Sequence, residues 1–273
     1  MIDQLYAFLY GVVQAITEFL PISSSGHLLL LHEVLPVSFS NELAFDVALH
    51  VGTLCALVAV FYRDIVKYSI ALVRSFSKWE LKTDPDQRVA WWIVVGTIPA
   101  AVIGAFAGDS IETFFRSPFL VAWLLIGVGA LFFPIEKLSA KTKSLEGMSR
   151  FDAVLIGCAQ VLAFVPGVSR SGITMLTAFG RGMTREAAAR FSFLLSLPIV
   201  FLAGAKNGYG VVQSGITGTE ALTMGMGLIG AAVAGIVVIK YFLKFVRNHT
   251  LIPFAWYRIA LGVVTFIVLI FFR

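Results

Sequence analysis

Residues 11–27, GVVQAITEFLPISSSGH, align without a gap on residues 157–173, GCAQVLAFVPGVSRSGI. Gly11/Gly157, Gln14/Gln160, Ser23/Ser169, Ser25/Ser171 and Gly26/Gly172 are identical pairs. Further on, residues 96–104 (GTIPAAVIG) match residues 227–235 (GLIGAAVAG), and residues 118–128 (PFLVAWLLIGV) match residues 253–263 (PFAWYRIALGV). Matches recurring in the same order mark a tandem duplication rather than shared apolar composition. Within the matched segments, the copies part company at Glu18, His27 and Arg170, the residues able to do chemistry.

Composition decides the solvent. A chain of 273 residues with 58% hydrophobic and 14% charged residues is too apolar for an ordinary soluble domain. Six runs are long enough to cross about 30 Å of hydrocarbon as helices: 43–62, 89–107, 119–135, 187–205, 222–241 and 254–272. The N-terminal stretch carries Asp3, no basic residue and no small-residue cleavage site, so it does not read as a cleavable signal peptide. Cys55 and Cys158 lie in apolar segments and read as packed thiols.

The excess positive charge is uneven. Basic residues gather after the first span (Arg63 to Arg88), after the third (Lys137 to Arg150), before the fourth (Arg181 to Arg190) and after the fifth (Lys240 to Arg247). The opposite loops, 108–117 and 207–220, are nearly free of them. The positive-inside rule makes the basic side cytoplasmic. Because these charges sit at span ends, topology explains them and no nucleic acid is expected.

Two apolar stretches do not fit as spans. Residues 5–35 are interrupted by PISSSG and residues 151–180 by PGVSRSG. A Pro followed by Ser and Gly ends one helix and caps the next. Both read as re-entrant hairpins, tolerable at depth only where protein or water covers the backbone. The expected fold is therefore an all-α polytopic membrane protein, one membrane domain over 1–273. It has two repeats, about 1–136 and 151–273, each a re-entrant helix hairpin plus three transmembrane helices. An odd number of spans per copy makes the repeats inverted, with the working site between them and the two tips meeting inside the bilayer.

Each returning helix begins after a Ser-rich turn and aims free N–H groups at the tip, which suits an anion. Ser23, Ser24, Ser25, Ser169 and Ser171 add hydroxyls, Thr174 lies within a turn of Arg170, and Arg170 adds a fork suited to phosphate. Serines that merely cap helices do not account for an arginine between apolar arms. Gln14 and Glu18 share a helix face, and His27 sits on the first turn of the returning helix, past the serines. Carboxylate, imidazole and hydroxyls beside an arginine form an acid–base or nucleophilic set; the competing reading makes Glu18 only a counter-ion for Arg170. His32 and His249 read as interfacial, and His50 as a packed histidine within a span. Small residues recur every fourth position from Gly96 to Gly108 and from Gly227 to Gly235, so these two spans are expected to pack near the pseudo-twofold axis.

QAITEFLPISSSGH and PGVSRSGIT resemble the two motifs of the bacterial undecaprenyl-diphosphate phosphatases, the bacitracin-resistance proteins, and the likeness covers nearly the whole chain. Many members carry a second Glu where this chain has Gln14. The resemblance implicates Glu18, Ser23, Ser24, His27, Ser169, Arg170, Ser171 and Thr174. It implies hydrolysis of a C55 isoprenoid diphosphate lipid to the monophosphate, which recycles the carrier for cell-wall synthesis and gives bacitracin resistance. It further implies dependence on a divalent cation, placement in the bacterial inner membrane among its lipids, and a site open to the extracytoplasmic face. Since hard cations prefer oxygen, Glu18 with Gln14 is the natural place for Mg²⁺ or Ca²⁺. A homodimer is compatible with it. The nucleophile stays open between Ser24 activated by His27, His27 itself and water activated by Glu18, with His27 beside Ser24 favoured. The alternative activity is a transporter or flippase of polyprenyl phosphate lipids. The mismatch of Glu18 and His27 with Phe164 and Ile173 favours chemistry at one tip.

Overall fold

The structure is a computed structural model describing residues 2–34, 42–115, 117–214 and 217–271. Its helices are α1 (Ile2–Phe19), α2 (Ser24–Val34), α3 (Glu42–Ser75), α4 (Pro85–Phe106), α5 (Gly108–Phe114), α6 (Pro118–Leu138), α7 (Arg150–Val161), α8 (Arg170–Gly180), α9 (Arg185–Ser214), α10 (Gly218–Asn248) and α11 (Ile252–Phe271). A 3₁₀ turn, Leu162–Phe164, extends α7. Among the described residues the only β-structure is an isolated bridge between Lys143 and Met183. Six helices (α3, α4, α6, α9, α10 and α11) are long and apolar enough to cross a membrane. This is an all-α polytopic membrane protein with its spans where the apolar runs put them.

The two remaining helix pairs are hairpins. At a rise of 1.5 Å per residue, α2, α7 and α8 are each roughly 17 Å long, well short of a hydrocarbon core, whereas α1 reaches about 27 Å. The helix starts follow from local chemistry. Asp84 caps α4 by accepting from the amides of Asp86 and Gln87, with Pro85 at the first helical position. Ser149 with Asp152, and Thr217 with Glu220, form reciprocal capping boxes on α7 and α10. Several helices run past the expected spans, α9 by nine residues to Ser214 and α10 by seven to Asn248, and α3 furthest of all. The α3 helix continues thirteen residues past Tyr62 to Ser75, so Arg63, Lys67 and Arg74 lie on helix rather than in a loop. Tyr68, Ala71 and Ser75 keep a helical stripe buried through that stretch, and packing carries the helix past the charges.

Interhelical contacts exchange between the halves. Helix α1 lies along α10 as α7 lies along α4; α3 packs on α10 as α9 packs on α4; α3 meets α9, and α6 meets α11. Glycines set the closest approaches. A Cβ on Gly11 would stand 2.1 Å from the Gly227 carbonyl oxygen, and one on its repeat partner Gly157 would stand 2.3 Å from that of Gly96. The small-residue stripes of α4 and α10 therefore face protein, not lipid, but they receive the entering hairpin helix of the opposite half instead of packing chiefly on each other. The helices paired about the exchange are α3 with α9 and α6 with α11. Aromatic rings fill the centre, with Phe193 edge-on to both Phe19 and Phe61. Cys55 and Cys158 are free and exposed on apolar helix faces, not packed inside as expected; their helices turn those positions outward.

Candidate active site

Both hairpin tips turn at a serine with positive φ, Ser23 at 78° and Ser169 at 74°. A non-glycine residue pays a steric penalty there, and its recurrence at equivalent positions ties it to the turn's task. Each serine hydroxyl accepts from the amide three residues on, Gly26 at 3.4 Å and Gly172 at 3.1 Å. The first helical position then falls to Ser24 in one tip and Arg170 in the other. The tips meet, as the repeat implied: the Ser171 hydroxyl donates to the Leu20 carbonyl at 3.0 Å, and the Gly167 amide points at the Ser25 hydroxyl at 3.5 Å.

Glu18 joins them. Its Oε1 accepts from Arg170 Nη2 at 2.5 Å and its Oε2 from the Ser24 hydroxyl at 2.6 Å. One buried carboxylate thus holds the two repeat-equivalent residues that open the returning helices. Gln14 supports it from one turn back, Nε2 to Oε2 at 3.3 Å. This trio edges a cleft of about 290 Å³, also lined by Ser25, Ser169, Gln160, Asp46, His50 and, on α9, Ile199 to Asn207. The cleft lies at the start of α3 and the end of α9, away from Arg63, Arg74, Arg185 and Arg190 at their other ends. Polar atoms without partners lie on two of its lining residues, Arg170 and Gln160, and on Gln14 beside Glu18. Arg170 Nη1, Gln14 Oε1 and both amide atoms of Gln160 are buried without a hydrogen-bond partner. Buried polar groups are almost always paired, so these atoms mark where a polar ligand belongs. The first amides of α2 and α8 add donors without intrahelical acceptors.

The sequence-based candidates divide into two groups. Glu18, Ser24, Ser25, Ser169 and Arg170 line the cleft. Ser23, Ser171 and Thr174 are buried behind it; Thr174 bonds the Arg170 carbonyl at 2.7 Å and shares a hydrogen with Ser192 at 2.7 Å. His27 also faces away. Its Nδ1 lies 2.7 Å from the Ser23 carbonyl and therefore donates, leaving Nε2, 2.8 Å from the Tyr257 hydroxyl, to accept. Both ring nitrogens are committed to holding the turn, and the imidazole stacks parallel to the Tyr257 ring.

Three further residues reach the site or its tips only through the fold. His50, read as packed, stands with Nε2 3.9 Å from Glu18 Oε2, while its Nδ1 donates to the Asp46 carbonyl at 2.8 Å. Gln160 was visible only as an invariant member of the repeat. Arg258 of α11 is fully buried and donates to the carbonyls of Pro21 (3.1 Å), Gly167 (2.8 Å) and Val168 (3.1 Å). Pro21 and Gly167 are repeat-equivalent, so one guanidinium pins both tips. A charge near the start of the last apolar span is the signal for it.

Among the described residues no group of three His, Cys, Asp or Glu side chains could hold a metal alone. A hard cation shared between one carboxylate and phosphate oxygens needs less. Glu18 supplies that carboxylate at the cleft; Gln14 turns its Nε2 toward it and would have to flip its amide to add Oε1 as a ligand.

Comparison with known proteins agrees with this architecture. The family model described as bacitracin resistance protein BacA matches residues 7–264. A protein of Rubrobacter xylanophilus named undecaprenyl-diphosphatase is 44% identical over 263 residues, covering 96% of this chain and 97% of that protein. One of the same name from Teredinibacter turnerae is 41% identical over 265 residues, covering 97% of this chain and 99% of its own length. With a geometry built on two matched hairpin tips and a family match spanning both, the chain belongs to the bacitracin resistance protein family.

Proposed function

We propose that this chain hydrolyses undecaprenyl diphosphate to undecaprenyl monophosphate and phosphate, recycling the lipid carrier of cell-wall synthesis and giving bacitracin resistance. The relatives' activity supports the substrate. The observation that carries the mechanism is Glu18 holding the Ser24 hydroxyl with one oxygen and Arg170 with the other.

Phosphoryl transfer needs positioning and charge neutralisation more than covalent help. The diphosphate enters the cleft between the two helix N-termini, and Arg170 turns its fork from Glu18 to the phosphate oxygens. Ser24 Oγ attacks the terminal phosphorus while its proton passes to Glu18 Oε2. The P–O bond to the bridging oxygen breaks and the lipid monophosphate leaves. Water then attacks the phosphorus of phosphoserine 24 as the Ser24 Oγ–P bond breaks. Glu18 returns its proton to the departing Ser24 oxygen and takes one from the water, phosphate leaves, and Glu18 gives up that last proton to solvent. His50, on the rim beside Glu18, is placed to relay protons to solvent. His27 acts one step removed, holding the strained Ser23 turn that aims Ser24. A Mg²⁺ or Ca²⁺ held by Glu18 and Gln14 would supply further neutralisation of phosphate charge.

The halves insert with opposite orientation, a reading supported by the exchange of contacts between them. Placing the basic ends of α3 and α9 in the cytoplasm opens the cleft to the extracytoplasmic face of the inner membrane. The test is phosphate release from undecaprenyl diphosphate by purified protein in detergent, with and without a chelator. Release that depends on the protein supports the reading. Movement of a labelled polyprenyl phosphate across vesicles without phosphate release would replace it by the flippase reading.

A further inference from the structure

A second cavity, about 420 Å³, opens between α3, α4 and α9. Its wall includes Ser69 and Leu72 of α3, Ile93, Thr97 and Ala101 of α4, and Leu197 of α9. No charged side chain lines it. The Thr97 hydroxyl is already spent on the Ile93 carbonyl at 2.7 Å, so the groove presents an apolar surface. From Ala101 back to Ala90 it follows α4 for about 16 Å.

The groove and the catalytic cleft are neighbours along α4 and α9, with no lining residue in common. Ala100 lines the cleft while Thr97 and Ala101 line the groove; Ile199 and Val200 line the cleft while Leu197 and Pro198 line the groove. Pro99 and Pro198 lie inside α4 and α9 at that junction. Each lacks an N–H for the helix ladder, and its ring crowds the preceding turn, which disfavours tight helix-on-helix packing there. Small residues along the groove, Ala90, Ala101 and Ser69, leave room for the methyl branches of an isoprenoid.

We propose that this groove holds the isoprenoid tail of the lipid whose diphosphate occupies the cleft. The assignment rests on the phosphatase reading above, because it takes the head of the same molecule to sit at Arg170. A tail already in lipid gains little from dehydration, so packing along the groove is what distinguishes it. The far end of the groove then reads tail length, and a short tail never reaches Ser69.

The test uses Ser69→Trp, an exposed α3 position remote from the cleft. For full-length protein, kcat/KM on undecaprenyl diphosphate is expected to fall about tenfold, the scale of hydrophobic pocket discrimination, with geranyl diphosphate hydrolysis unchanged. Equal loss on both substrates, or no loss on either, overturns the proposal. A photolabel supplies an independent readout. Undecaprenyl monophosphate with a diazirine at the tail end is expected to label peptides containing residues 65–72 and 90–101 in the wild type, and not in Ser69→Trp. Equal labelling by a diazirine phospholipid would make the groove ordinary lipid annulus and overturn the assignment. Wild-type protein inactive on both diphosphates would count against the phosphatase reading alone, with the photolabel still deciding the groove.

Discussion

Arg170 Nη2 stands 2.5 Å from Glu18 Oε1, so the second hairpin's cation and the first hairpin's carboxylate close the site from opposite halves of the chain. A simple counter-ion role would leave the guanidinium satisfied by Glu18. Instead its Nη1 is buried with no partner. Arg170→Lys keeps the charge and loses the planar fork. Activity is expected to fall by about 10²-fold or more, as for loss of a charge-stabilising donor, measured as phosphate release by correctly inserted protein. If Lys serves nearly as well, Arg170 is only the partner of Glu18.

Arg258 is the second buried cation, and it has carbonyl partners in both tips. Arg258→Met leaves those carbonyls bare. It is expected to cost about 3 kcal/mol, given hydrogen bonds to a charged donor and buried acceptors left unmade, read as a lowered unfolding temperature in detergent. Activity should fall with it, because both tips lose one anchor. Full activity at unchanged stability would show that the tips hold without it.

The orientation of His27 makes a distinction between positioning and proton transfer. His27→Gln retains a side-chain donor for the Ser23 carbonyl, and is expected to keep much more activity than His27→Ala. Tyr257→Phe, which removes only the partner of Nε2, is expected to cost less than about tenfold, in line with one hydrogen bond. A proton-transferring His27 would instead make Gln and Ala equally inactive and change the shape of the pH–rate profile.

Much of this was legible in the sequence because it rests on pattern. The duplication locates both tips and apolar run lengths locate the six spans, while the contact of Glu18 with Arg170 enters from sequence only as the competing counter-ion reading. The direction of His27 was not legible. A side chain three residues past the turn can point to the cleft or behind it, and Tyr257, more than two hundred residues away, decides. His50 was misread because a helical histidine one turn from Asp46 looks the same whether it faces protein or a cleft. Gln160 carries no signal of its own in the sequence, because it matches its repeat partner Gln14, and only the fold brings it to the cleft. The α4 and α10 stripes are legible as packing surfaces, but what they receive, α7 and α1, is not, since a glycine stripe does not name its partner.

Those partners give a test of the fold. Gly11 and Gly157 make the same close approach to Gly227 and Gly96 in the two halves. Gly11→Val and Gly157→Val are each expected to destabilise the protein by about 3 kcal/mol or prevent its folding, the upper range for overpacking. Thermal unfolding of both in detergent checks it. One variant tolerated at wild-type stability would show that the halves do not pack alike.

The central claim is that Ser24, held by Glu18 at 2.6 Å, attacks the terminal phosphorus. The most direct test is phosphate release by Ser24→Ala, joined to acid-quenched mass analysis of the wild-type peptide containing Ser24. The account predicts a loss of at least about 10²-fold in Ser24→Ala, the scale of losing an activated nucleophile and its base together, and a phosphoryl group on Ser24 in the quenched wild type. A Ser24→Ala protein that still releases phosphate near the wild-type rate would contradict the account, and would pass the attack to water.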